Sequence, residues 1–325
     1  MNGLRRLGVV TLVLAFGQIV FGAIVRISGS GMGCGDHWPK CLGRWVPPLD
    51  RSDLVIEVTH RWIALALSLC VLALLAAAWR SRALPGVGGR GGVLRPAIVA
   101  AGLVLLAAVV GAVIVKLELH ALVVVAHLAI AMTLLATLVI LVTRAGGLGA
   151  ASTVPGSGSQ KTARGAMAAA GLAFAVLVLG ALTANVEGAA QACQGFPLCR
   201  GADGVSIPAG AHIQLTHRIL AFLLFFHLIG LVIAMGKRSE PTPVVRAARI
   251  VLGIVVLQVV IAAVLVERFL PPTIQSLHQA VGTLVWISIV TLALLARRAA
   301  MPITVPVTPR LDDGDVIAHS LEPAR

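Results

Sequence analysis

The chain is 325 residues long, 58% hydrophobic and only 12% charged, with a mean hydropathy of +0.97. So few polar residues cannot cover so much apolar surface in water, which excludes a soluble globule and leaves a polytopic membrane protein. The net charge of +13 would point to nucleic acid in a soluble protein, but here it is spent on membrane topology, and no nucleic-acid partner is expected.

Apolar runs long enough to cross a bilayer core, about 20 residues each, are predicted in chain order. The first, 7–27, follows Arg5 and Arg6, ends without a small-x-small cleavage site and runs into "RISGSGMGC", so it reads as an uncleaved spanning helix. A loop carrying Cys34 and "WPKC" (38–41) leads to the second run, 54–78, which opens on "IEVTHRW" with Glu57, His60 and Arg61. The third and fourth runs, 97–117 and 121–143, precede and contain His127, with His120 at the edge. The fifth, 165–185, is followed by Cys193 and "FPLC" (196–199), and the sixth, 212–235, opens on "IQLTHRI" with Gln214, His217 and Arg218. The seventh and eighth are 248–267 and 275–296, the last carrying His278.

The Lys/Arg distribution orients these helices, because positive residues resist translocation. With the N-terminus cytoplasmic, that side receives Arg5, Arg6, Arg80, Arg82, Arg144, Lys161, Lys237, Arg238, Arg297 and Arg298 among others. The opposite side receives fewer, including Lys40, Lys116 and Arg200, offset by acids such as Asp36, Asp53, Asp203 and Glu267. Both termini are therefore expected in the cytoplasm of a cell exporting its charge-poor loops. Those loops face an oxidising compartment, so Cys34–Cys41 and Cys193–Cys199 are expected as disulfides. Neither pair has the Cys-x-x-Cys spacing of a thiol-disulfide relay, which favours a structural or regulatory role. Cys70, inside the second run, is left to pack as a small hydrophobe.

The Gly/Ser-rich stretch 144–165 divides the chain into two four-helix halves, 1–143 and 166–298, with a disordered tail, 299–325, that contains His319. The halves read as parallel repeats. Each has a cysteine pair and then Thr-His-Arg opening a helix; "AVIV" (112–115) and "AVLV" (263–266) stand at equal distances before His127 and His278. In that register His120 falls on Pro271, which makes it a polar interfacial residue rather than a ligand. The fold expected is thus all-α integral membrane: eight transmembrane helices as two repeated four-helix bundles.

A histidine within a membrane helix is a functional-site hypothesis by default, and a lone one is more often a helix-helix hydrogen bond. His60, His127, His217 and His278 recur at matched positions, one from the second and one from the fourth helix of each half. Two imidazoles facing across a four-helix bundle suit bis-histidine axial ligation of a haem. Zinc would want four close ligands, and covalent haem attachment would want Cys-x-x-Cys-His, which is absent.

"RISGSGMGCGDHWPKC" followed by "EVTHR", His127, a second cysteine pair, "QLTHR" and "LHQAVG" resembles the haem A synthase family, cytochrome-oxidase assembly proteins that convert haem O to haem A. The resemblance implies that His217 and His278 ligate a resident haem b, and His60 and His127 the substrate haem. It also implies a functional acid at Glu57, haem O as substrate and a place in the cell membrane, with the haem O synthase as a candidate partner and the electron acceptor left open. "FPLC" departs from the family's Trp-Pro form, and "LELH" before the fourth helix is unusual.

The implied chemistry takes a ring methyl to a formyl group through hydroxylated stages. With both axial positions held by histidine, oxygen insertion at iron is disfavoured. Electron withdrawal followed by attack of water fits better, and a carboxylate beside the methyl can stabilise the cation and accept a proton. Glu57 precedes His60 by three residues and shares its helix face, whereas Gln214 cannot act as that base. The bland alternative for Glu57 is a helix-start acid. The competing function is a di-haem membrane cytochrome b that relays electrons without modifying haem.

Overall fold

The computed structural model describes residues 1–48, 50–197, 199 and 210–302. Arg200 and Asp203, counted above for topology, lie outside the described residues, as does the tail from residue 303 with His319.

Among the described residues the chain forms eight long α-helices and no strand: α1 (Asn2–Ile27), α2 (Ser52–Arg80), α3 (Leu94–Lys116), α4 (Ala121–Arg144), α5 (Gln160–Asn185), α6 (Ala211–Gly236), α7 (Thr242–Glu267) and α8 (Pro272–Ala299). All eight are long and apolar enough to cross a membrane. In hydrocarbon every backbone N–H and C=O must be satisfied within the segment, so these Ala/Val/Leu/Ile runs have helix as their route across.

Successive helices pack as hairpins, α1 with α2 through α7 with α8. The first and second groups of four meet where α4 touches α5 and α8, and where α1 touches α8. Leu135, Leu138 and Leu141 of α4 and Ile289 and Leu292 of α8 are fully buried there. Trp286 of α8 crosses the same seam, its Nε1 donating to the Met132 carbonyl of α4 at 2.8 Å.

Several helices begin a few residues before their apolar runs. The clearest case is α5. The linker expected over 144–165 occupies only 145–159, since Ser159 caps α5 by accepting from the Lys161 N–H (3.1 Å). Glu240, between α6 and α7, accepts from the Ser159 N–H at 3.2 Å and from the Thr162 hydroxyl at 2.5 Å. The linker itself is not loose: Ala150 and Thr153 are buried, and Arg298 Nε donates to the Thr153 carbonyl (3.0 Å). The Gly158 N–H donates to the Ala299 carbonyl (3.0 Å), and Gln160 Nε2 to that of Ala300 (2.7 Å). Pro271 and Pro272 start α8, where the missing N–H costs nothing. His120 occupies the matching N-cap of α4, exposed and without a side-chain cap bond. It thus sits where the register with Pro271 put it, at the start of its helix.

Candidate functional site

His60, His127, His217 and His278 and both cysteine pairs gather at the end of the bundle formed by the α1–α2, α3–α4, α5–α6 and α7–α8 connections. Cys34 and Cys41 are joined, with Cα atoms 4.6 Å apart, and so are Cys193 and Cys199, at 4.9 Å. Cys70 is free and half-buried.

His217 and His278 both line a cavity of about 680 Å³ between α5, α6, α7 and α8, within the ~300–1,000 Å³ typical of cofactor sites. Its walls are largely apolar, Leu177, Phe222, Val255 and Trp286 among them. His217 Nδ1 donates to the Val176 carbonyl at 3.0 Å. That bond fixes the tautomer and leaves Nε2 with a free lone pair, the arrangement a metal-binding imidazole needs. In the other half His60 and His127 lie within electrostatic reach of one another.

Glycines seat three of these rings. A Cβ on Gly22 would lie 3.1 Å from His60 Cε1, one on Gly111 3.5 Å from His127 Cε1, and one on Gly180 2.9 Å from His217 Cε1. The α1–α2 and α5–α6 pairs therefore bring histidine and glycine together in the same way. Two glutamines hold the histidines that face them. Gln18 Nε2 lies 3.1 and 3.3 Å from the ring nitrogens of His60 and donates to its carbonyl at 3.1 Å. Gln258 Nε2 does the same at His278, at 3.1 and 3.4 Å from the ring and 3.1 Å from the carbonyl.

Among the described residues, four buried polar atoms around these rings lack hydrogen-bond partners: His127 Nδ1, Gln18 Oε1, Gln214 Oε1 and Gln258 Oε1. Buried groups are seldom left so, and their concentration beside the histidines fits a site built around a ligand. Among the described residues no three of His, Cys, Asp and Glu converge as a cage for a metal ion. His217 and His278, on the walls of one largely apolar cavity, fit a haem held between two imidazoles, and three of the four rings are backed by glycine.

Glu57 is 4% exposed and is not a helix-start acid, since Arg51 is the N-cap of α2 and Asp53 is the first-turn acid, paired with Arg51. One oxygen accepts from the Cys34 N–H at 2.7 Å, and the other is ion-paired with Arg61, one turn on. Arg61 also donates to the carbonyls of His37 (2.8 Å) and Lys40 (2.9 Å). Glu57 thus binds the disulfide loop as well as sharing a helix with His60. In the second copy Arg218 grips its loop alone, donating to the carbonyls of Gly195 and Cys193, each at 2.7 Å. Gln214, in the place of Glu57, makes no bond with its oxygen. The loops are also tied to the odd helices: Lys116 Nζ donates to Asp36 (3.2 Å), and Glu267 accepts from the Phe196 N–H (2.9 Å). Outside the membrane-spanning segments, the Lys116 hydrogen bond holds the exposed Asp36 carboxyl below its ordinary range.

Residues 5–290 match the cytochrome oxidase assembly protein family. The chain belongs to this family. A protein named Heme A synthase from Bacillus licheniformis is 27% identical over 241 residues, which cover 74% of the chain and 78% of that protein. A Heme A synthase from Geobacillus kaustophilus is 44% identical over 71 residues, 22% of each chain. A protoheme IX farnesyltransferase from Thermus thermophilus is 47% identical over 66 residues, 20% of this chain and 10% of that protein. The shorter alignments thus cover well under two thirds of their relatives, whereas the family match runs through seven helices and most of α8.

The sequence reading missed Gln18, Gln258 and the glycine seats. Each glutamine is an amide in the middle of an apolar run, and that isolation was the available signal. His227, also unremarked, donates from Nε2 to the Gly165 carbonyl at 2.9 Å, a helix-helix bond far from the other four.

Proposed function

We propose that this chain is a haem A synthase, an integral-membrane oxidoreductase that converts the ring methyl of haem O to the formyl group of haem A for cytochrome oxidase. The observation that carries the reading is the pair of imidazoles, His217 and His278, on the walls of one apolar cavity, in a chain of the oxidase-assembly family.

In this reading 1–143 is the catalytic half, where haem O sits between His60 and His127. Residues 166–298 hold haem b between His217 and His278. When bound there by His217 and His278, haem b would supply one-electron redox chemistry, with the final electron acceptor outside the chain. Gln18 and Gln258 orient the His60 and His278 rings they contact, and Gly22 and Gly180 let the His60 and His217 rings lie close to α1 and α5. Methyl to formyl adds one water and removes four electrons and four protons. Glu57 takes a proton and stabilises positive charge at the reacting carbon. Both its oxygens already accept hydrogen bonds from fixed donors, so it is held in place before the substrate arrives. The disulfide ends of the helices lie outside the cell membrane, both termini lie in the cytoplasm as the Lys/Arg distribution requires, and a haem O synthase delivers the substrate.

The loop contacts of Glu57 also give it a structural use, which favours the second reading, a di-haem cytochrome b that only relays electrons. Extraction of haem from the purified protein separates the two. Haem b together with haem O, a hydroxylated form or haem A supports the synthase; haem b alone in cells supplied with haem O refutes it.

A further inference from the structure

Arg26 stands on the last turn of α1, in the first four helices, yet it lines the cavity of His217 and His278 in the second four. Counting from the match of Gly22 with Gly180, its counterpart on α5 is Ala184, so the second half has no equivalent cation. Arg26 Nη1 donates to the carbonyl of that same Ala184 at 3.3 Å. Among the described residues this long bond is the guanidinium's single hydrogen bond, and no carboxylate lies within ion-pair distance. Glu187 borders the same cavity but lies outside that distance.

A half-buried guanidinium at the edge of an apolar cavity is costly unless an anion meets it. The two arginines of the Thr-His-Arg motifs are committed. Arg218 is spent on the carbonyls of Gly195 and Cys193, and Arg61 on Glu57 and the carbonyls of its own loop. That leaves Arg26 with donors to spare, facing the space between the two imidazoles' helices.

We propose that Arg26 is a binding residue for the cofactor of the second half, pairing with a carboxylate of the group that His217 and His278 hold. A side chain of the substrate half thereby grips the cofactor of the other half. The inference rests on the haem reading above, since haem carries two propionate carboxylates.

The test uses full-length protein in detergent, stripped and reloaded either with haem b or with haem b dimethyl ester, whose carboxylates are blocked. Release to excess apomyoglobin is timed by absorbance. Loss of one charge-assisted hydrogen bond predicts that Arg26→Ala releases haem b roughly tenfold or more faster than wild type, with Arg26→Lys between them. The ester should leave wild type and Arg26→Ala at equal rates. Equal release of haem b from both proteins overturns the proposal, and so does equal acceleration of haem b and ester, which marks loosened packing. If Arg26→Ala does not accumulate, wild type decides alone, because release of haem b and ester at one rate overturns the proposal. Failure of the haem reading shows differently: wild type then lacks a bis-imidazole spectrum that His217→Ala abolishes.

Discussion

Glu57→Gln keeps the side-chain volume, removes the charge and makes the first Thr-His-Arg motif like the second. The amide oxygen can still accept from the Cys34 N–H, now 2.7 Å from the carboxylate. Arg61 loses its ion pair but keeps the carbonyls of His37 and Lys40, as Arg218 manages without any bond to the Gln214 oxygen. Exchanging a charge-assisted hydrogen bond for a neutral one should therefore cost about 1–2 kcal/mol, too little to prevent folding or to open the disulfide. Loss of the proton acceptor should slow conversion by at least ~100-fold. The assay is chromatography of haems extracted from membranes containing the variant and an excess of haem O. The expected profile is accumulated haem O or a partly oxidised form, with the low-spin haem b spectrum intact. Haem A at the wild-type level would refute the reasoning and leave Glu57 as a tether of the loop. Lost conversion with the first-half haem also lost would assign the defect to the loop rather than to proton transfer.

His217→Ala and His278→Ala should each abolish the low-spin haem b spectrum, while His60→Ala and His127→Ala keep it; the reverse pattern in optical spectra would exchange the roles of the halves. Gly180→Ala places a Cβ 2.9 Å from His217 Cε1 and should cut haem b content more than Gly22→Ala, which should instead reduce bound haem O; pyridine haemochrome analysis checks both. Arg218→Ala strands the buried carbonyls of Gly195 and Cys193 and should destabilise the second outer loop by roughly 3 kcal/mol, seen as faster proteolysis there and a lower Tm. Trp286→Phe removes the bond to the Met132 carbonyl at a cost of about 1–2 kcal/mol, and a Tm unchanged from wild type would show that apolar packing alone holds the seam.

The helices were legible because bilayer thickness sets a length that apolar runs report directly, and all eight form where expected. Their polar first turns were not. At α5, residues 160–164 read as linker because the acceptor that stabilises them, Glu240, comes from a distant connection. The four histidines stood out through repetition, which local context could not have supplied. Glu57 was visible as an acid, and its partner Arg61 lies at the i+4 position that helix geometry favours. The Cys34 N–H that completes its environment is a backbone group of a remote loop, and side-chain patterns carry no trace of it. Nothing in the sequence around Arg26 marked it, since only packing brings the end of α1 to a cavity of the other helices.

The contacts of the linker set an order of assembly. Its acceptors and donors at Thr153 and Gly158 are met by Arg298 and Ala299, at the very end of α8. Because membrane helices emerge from the ribosome in sequence, these partners do not exist while the first seven helices are being inserted. Residues 145–159 must therefore wait, loosely joined, until translation is nearly complete. The junction between the two groups of helices is then completed by the last one to arrive.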